Sequence, residues 1–262
     1  RGDRLRDLHQ PLRVSRTRLG RPAVSAQRRV HLLHEAESLA RLLAIETPSC
    51  THVAMPTDGS GAPFAAFADG NPLDDDWLAD LAIPTTRTVA WSGTLGDTLF
   101  ADEPRTWMRA GHERFAAFCD AVAPSLAANG RTLCFRPHHR HVLGDVHATV
   151  KFLRDRAGGP FEALLSPADL LAPSMLATVE DHLERMFRHL GAVATAVVLA
   201  DVATPARGTP EAESGLLATV PFGEGLLPHA HVAELLAECV PPSVPVLLFP
   251  ANAEQQRALA AI

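Results

Sequence analysis

From residue 133 to residue 249 the chain alternates short, wholly apolar runs with longer stretches whose apolar side chains return every third or fourth position. The first pattern predicts buried strands and the second amphipathic helices. Residues 133–135 form the first such strand. Asp145 then stands as an N-cap before a helix to residue 156, with Val146, Val150 and Leu153 at helical spacing, and Gly158-Gly159-Pro160 stops it. Residues 161–165 are the next strand, closing on Ser166-Pro167-Ala168-Asp169. Ser174 is placed to cap a helix whose stripe is Leu176, Val179, Leu183, Met186, Phe187 and Leu190, with Gly191 as its stop. Residues 193–199 form a strand ending near Asp201. A Pro- and Gly-containing loop follows over 204–214, then a short helix over 231–239, and a last strand over 244–249 stopped by Pro250. Apolar strands between helices imply a parallel sheet covered on both faces.

The first half is less regular. A strand at 12–15 is followed by a helix over 27–45 with Leu32, Leu33, Ala36, Leu39, Ala40 and Leu43 on its buried face. Strands are expected at 52–55 and 88–91, each with a polar exit: Thr57-Asp58-Gly59 and Ser92-Gly93-Thr94. A long helix over 106–129 turns Trp107, Phe115, Phe118, Val122 and Leu126 inward, and Pro124 predicts a kink in it. About seven βα units result. The fold class is therefore α/β, a (β/α) barrel one recognisable strand short of the usual eight. An open doubly wound sheet is the alternative. No GxGxxG follows a strand, however, and Gly223-Glu224-Gly225 is only a GxG after a loop.

Composition narrows this picture. With 47% hydrophobic and 21% charged residues over 262 positions, the chain is ordinary for a globular domain. The net charge of -6 gives nucleic-acid binding no electrostatic support. Arginine is concentrated at the start (Arg1, Arg4, Arg6, Arg13, Arg16, Arg18, Arg21), which sets residues 1–26 apart as a polar arm from a single domain over 27–262. The chain begins at Arg1, as a trimmed or incomplete N-terminus would. Lys151 is the only lysine, on an expected surface helix, so Schiff-base chemistry has no good candidate; the arginine, alanine and proline bias points to a GC-rich genome. Cys50, Cys119, Cys134 and Cys239 form no CxxC, so free thiols in a reducing compartment are expected. No apolar run is long enough for a membrane helix, no signal-peptide pattern is visible, and a cytoplasmic location is the expectation.

One stretch carries most of the candidate chemistry. Residues 133–141 read LCFRPHHRH, an apolar strand that ends in cationic and imidazole groups. Alternation puts Cys134, Arg136 and His138 on one face and Leu133 and Phe135 on the other. In barrels, strand ends of this kind hold the active site.

The order of motifs from about residue 106 to 255 resembles the xylose isomerase-like TIM-barrel superfamily, which includes sugar-phosphate isomerases and epimerases, inosose dehydratases and endonuclease IV. The residues that carry the resemblance are Phe135-Arg136-Pro137-His138, Leu165 to Asp169, Val198-Leu199-Ala200-Asp201, Pro221-Phe222-Gly223-Glu224-Gly225 and Leu247-Leu248-Phe249. Members bind a divalent metal through Glu, Asp, His and Glu at strand ends. Here those positions carry Arg136, Ser166, Val198 and Phe249, so the resemblance implies a member without the family metal and without a cofactor. Arginine cannot ligate a cation, and valine and phenylalanine have no donor atom.

On this reading His138 is the general acid/base, Arg136 holds developing negative charge, and Asp169 or Asp201 orients them. Arg136 equally has structural partners available in Glu162, Asp169 and Asp201. His139, Ser166, Trp91 and Ser92 are expected to contact the ligand. The expected activity is that of a metal-independent isomerase, epimerase or dehydratase-like enzyme acting on a small polar or anionic, sugar-like or carbonyl compound. Two alternatives stand beside it. One is a non-catalytic barrel, either a small-molecule binder or the partner subunit of an active homologue. The other is a metalloenzyme with ligands relocated among His138, His139, His141, His147 and nearby aspartates. No nucleic-acid or membrane partner is expected, and a homo- or hetero-oligomer is compatible with the sequence.

Overall fold

The computed structural model describes residues 28–35, 50–57, 62–68, 70–74 and 85–249. The expected arm and the strand at 12–15 lie outside these residues. Ten strands are described: β1 (Val30–Glu35), β2 (His52–Pro56), β3 (Ala65–Phe67), β4 (Arg87–Trp91), β5 (Thr132–Arg136), β6 (Phe161–Ala163), β7 (Val197–Leu199), β8 (Asp201–Ala203), β9 (Ala218–Val220) and β10 (Val246–Leu248). Between them run helices α1 (Arg109–Ala128), α2 (Val146–Asp155), α3 (Pro167–Leu170), α4 (Val179–Leu190), α5 (Pro210–Ser214) and α6 (His229–Cys239).

Eight strands form one sheet in the order β6-β5-β4-β3-β2-β1-β10-β7. Its two ends meet. Leu165, just past β6, pairs in parallel with Val197 of β7, through Leu165 N–H to Ala196 O (3.0 Å) and Val198 N–H to Leu165 O (2.8 Å). The fold is an irregular α/β barrel. The irregularity is β2, which runs antiparallel to both β1 and β3 while the other neighbouring pairs are parallel. The eighth strand that the pattern lacked is thus present in the sheet.

The alternation along β5 sorts as expected. Cys134 packs in the barrel interior with Leu33, Ala54, Phe67, Val89, Leu164, Val198 and Leu247. Leu133 and Phe135 face outward into a cluster with Phe115 and Cys119 of α1. On the opposite side, α4 and α6 pack Leu183, Phe187, Leu235 and Leu236 over Val197, Leu199, Val246 and Leu248. The floor of the barrel holds an ion pair between Arg87 Nε and Glu162 Oε2 at 2.7 Å, with the guanidinium 4.5 Å above the Phe64 ring. Arg28 anchors the foot of β1, donating to the carbonyls of Leu236, Val240, Pro241 and Val244 where α6 ends.

Several expectations are corrected. Residues 30–35 are strand β1, not the start of a helix, and 36–45 lie outside the described residues. In so short a run Leu32 and Leu33 fit either period, and pairing with β10 and β2 decided the matter. β3 was not expected, because Ala65-Ala66-Phe67 has little strand propensity; it is a strand because it is buried between β2 and β4. Trp107 does not turn inward and is 39% exposed, since it sits in a 3-10 turn (Pro104–Trp107) ahead of α1. α1 continues through Pro124. Ser174 caps nothing; it lies in a 3-10 turn (Pro173–Thr178) that leads into α4. Val193 belongs to the turn after α4 rather than to β7. Asp145 does cap α2, accepting from Ala148 N–H at 2.7 Å. Among the described residues no helix is long and apolar enough to cross a membrane, and the four cysteines are free.

Candidate functional site

The strand ends of the barrel open into a cavity of about 600 Å³. β3, β4, β5 and β10 supply Phe67, Val89, Trp91, Arg136 and Phe249 from their C-terminal ends, and the reversed β2 supplies His52 from its start. The turn after β5 contributes His138 and His139, and α3 contributes Asp169. The excursion between β8 and β9, with α5 at its tip, crosses over the mouth with Glu211, Ser214 and Leu217.

Arg136 and Asp169 form the central polar pair. Arg136 Nε reaches Asp169 Oδ2 at 2.5 Å and its terminal nitrogen reaches Oδ1 at 2.9 Å, a bidentate arrangement in which the two side chains are 12% and 5% exposed. The guanidinium lies 4.5 Å over the Trp91 ring. Ser166 is fully buried and donates its hydroxyl to Asp169, so it holds the carboxylate from behind and does not line the cavity.

The two neighbouring histidines take complementary tautomers. Arg140 N–H donates to His138 Nδ1 at 3.1 Å, which leaves the His138 proton on Nε2. His139 Nδ1 lies 3.2 Å from Asp169 O, and a carbonyl only accepts, so His139 carries its proton on Nδ1 and a lone pair on Nε2. Their rings stack at 4.5 Å. Burial drives both pKa values down. For His138 the nearby His141, His139, Arg136 and Arg140 add to the effect; for His139 the hydrogen bond to Asp169 opposes it. His141 is buried behind them against Phe100, with Nε2 2.7 Å from Leu99 O, and desolvation lowers its pKa to about 3. All three rings are neutral near pH 7.

Besides Ser166, two expected site residues stand away from the cavity. Ser92 is buried and accepts from Leu143 N–H at 3.1 Å. Asp201 is fully buried beneath the Gly-Glu-Gly loop. Its Oδ1 accepts from Val202 and Leu227 N–H, and its Oδ2 accepts from Gly223 and Gly225 N–H and lies 2.5 Å from His229 Nε2. Burial raises the Asp201 carboxyl, but the donors, Leu227 and His229 foremost, outweigh it and hold the pKa below the usual carboxylate value. Asp201 ties the root of the β8–β9 excursion to α6 rather than orienting Arg136. Glu211, His52 and Phe100 line the cavity and were missed. No local pattern marks them, because the cavity draws them from separate loops.

Comparison with known proteins places this fold in company. A xylose isomerase-like TIM barrel protein from Mycobacterium smegmatis, solved with magnesium, is 10% identical over 68% of this chain and 60% of its own, with a TM-score of 0.43. L-ribulose 3-epimerase is 14% identical over 68% of this chain and 54% of its own, at 0.44. The probable 3-DHS dehydratase of Bacillus anthracis is 11% identical over 68% and 61%, at 0.41. The chain thus spans about three-fifths or less of the length of these structures. They are similar to it in general fold, and the barrel itself rests on the strand ladder above. No protein-family model matches the chain, and no curated protein does.

Proposed function

We propose that this chain is a divergent isomerase- or epimerase-type enzyme that binds a small polar, sugar-like or carbonyl compound in the mouth cavity and moves protons on it without a metal ion. The reading rests on one observation: a proton donor, a proton acceptor and a fixed ion pair converge on a single cavity at the strand ends of a barrel. His138 presents Nε2–H to a ligand oxygen on which negative charge develops. His139 presents the Nε2 lone pair that accepts a proton from carbon or hydroxyl. Neutral imidazoles with opposed tautomers suit this exchange near pH 7. Arg136, fixed by Asp169 and Trp91, supplies a donor edge of unvarying position.

The residues set at the family's metal-ligand positions do not fit a divalent cation. Arg136 presents a guanidinium already bound to Asp169, Ser166 gives its hydroxyl to the same carboxylate, and Val198 and Phe249 have no donor atom. No step is therefore routed through a metal.

A second reading, a non-catalytic small-molecule binder, is favoured by the complete pairing of Arg136 with Asp169, which leaves the cation matched before any ligand arrives. Incubating the purified chain in D2O with a panel of aldoses, ketoses and cyclic polyols distinguishes the two. Proton-transfer isomerases place solvent deuterium on substrate carbon, which NMR detects. Deuterium incorporation lost in His138→Ala and His139→Ala, with circular dichroism unchanged, supports the enzyme. Incorporation retained in both variants overturns the roles given to these residues. Binding without incorporation in the native chain establishes the binder.

A further inference from the structure

The β8–β9 excursion that crosses the cavity is held at both ends. Asp201 fixes its root through the donors already described, and Arg140 fixes its tip. Arg140 is buried, and donates to Ser214 O at 2.6 Å and to Phe100 O at 2.8 Å, joining α5 to the loop after β4. Between these anchors α5 sets Glu211 in the cavity wall. The Glu211 carboxylate makes no hydrogen bond or ion pair among the described residues.

This changes the electrostatics of the mouth. Among the described lining residues the only cation other than histidine is Arg136, and Asp169 matches it in a bidentate pair. His138 and His139 are neutral. Glu211 is left as a carboxylate without a hydrogen bond or ion pair in the described wall, facing a space lined by Phe67, Phe100, Leu217 and Phe249 together with His52. Low-dielectric walls strengthen such a field.

From this arrangement we propose that Glu211 is a specificity-determining residue that turns the cavity against phosphorylated and carboxylated ligands and toward uncharged, hydroxyl-bearing ones, whose hydroxyls its carboxylate accepts. The inference deepens the functional reading above and rests on the same cavity. It departs from the expectation of an anionic substrate, which Arg136 had suggested as a lone cation.

Matched pairs test it: each unphosphorylated pentose, hexose or polyol of a panel against its own phosphate monoester, with binding followed by calorimetry on the full chain. In the native protein the neutral member is expected to bind more tightly than its phosphate. Glu211→Gln is expected to tighten phosphate binding by at least about ten-fold, because a like-charge contact is removed, while the neutral member weakens less than about ten-fold. Glu211→Gln replaces one carboxylate oxygen by a nitrogen and keeps the side-chain shape, and an unchanged Tm checks that the fold is intact. A phosphate that binds the native chain more tightly than its neutral partner overturns the proposal and leaves the site reading standing. Phosphate binding unmoved by Glu211→Gln overturns it as well. Silence from both members of every pair, in both proteins, overturns the proposal and the site reading together.

Discussion

At the scale of single residues, the polar groups of this barrel mouth are defined by what each is already bonded to. Arg136 at the end of β5 is not a free cation, because Asp169 takes it in two hydrogen bonds and Ser166 steadies that carboxylate. Removing one partner of a buried pair strands the other. Asp169→Ala is therefore expected to cost about 3–5 kcal/mol, measured by urea denaturation. The double change Arg136→Met with Asp169→Leu should recover a large part of that loss, and a double variant as unstable as Asp169→Ala alone contradicts this account. His141 makes a separate prediction. Its folded pKa of about 3 lies below the ordinary histidine value near 6.5, so the unfolded chain binds the proton first. Its contribution is fully present above pH 6.5 and is lost as pH falls from there toward 3, by roughly 1 kcal/mol per unit. Stability at pH 5 should be lower than at pH 7, and His141→Asn should flatten that slope. For turnover, the lowered pKa of His139 predicts a rate that holds steady as pH falls through 6.5 and declines only further below.

Elements bring a different kind of dependence. The β8–β9 excursion is held at its root by the acceptor Asp201 and at its tip by Arg140. A Cβ at Gly225 would meet Asp201 Oδ1 and Val202 O, each at 2.4 Å, so Gly225→Ala must push the loop off its anchor. Asp201→Ala leaves four backbone N–H groups without their acceptor, at a cost of about 3 kcal/mol or more. Hydrogen exchange should register this locally: amides of Gly223, Gly225 and Leu227 exchange faster, while those of β7 and β10 keep their protection. Equal loss across the barrel strands argues against a separately anchored excursion. At the same scale, β5 is legible in the sequence, because strict alternation separates Cys134 and Arg136 from Leu133 and Phe135. β1 is not legible, because six residues cannot distinguish a period of 2 from one of 3.6, and one of its two neighbours, β10, lies at the other end of the chain.

For the whole molecule, the closed ladder makes one interior with two ends, and each end is plugged by an arginine–carboxylate pair: Arg87–Glu162 at the floor and Arg136–Asp169 at the mouth. The interior between them is apolar, from Val89 and Cys134 to Val198 and Leu247. On the reading proposed above, neither end of this interior holds a divalent cation. Titration with Zn²⁺, Mn²⁺ or Mg²⁺ is expected to leave Tm unchanged, since only a ligand that prefers the folded state raises it. A rise at stoichiometric metal returns the reading in which histidines and acids elsewhere have taken over as ligands.

The sequence alone determined the α/β class, the strands β2, β4, β5, β6, β7 and β10, and the end of β5 as the place where chemistry gathers. These follow from local periodicity and from side chains adjacent in the chain. Tertiary structure decided the rest. β1 became a strand through pairing with the distant β10 as well as with β2, β3 through burial between β2 and β4, and Leu165 closed the ladder against Val197. Asp169, 33 positions away, rather than Glu162 or Asp201, became the partner of Arg136. Glu211 reached the cavity on the excursion that follows β7. Each of these outcomes depends on contacts between residues far apart in the chain, which barrel closure brings within hydrogen-bonding or charge range and which no local pattern records.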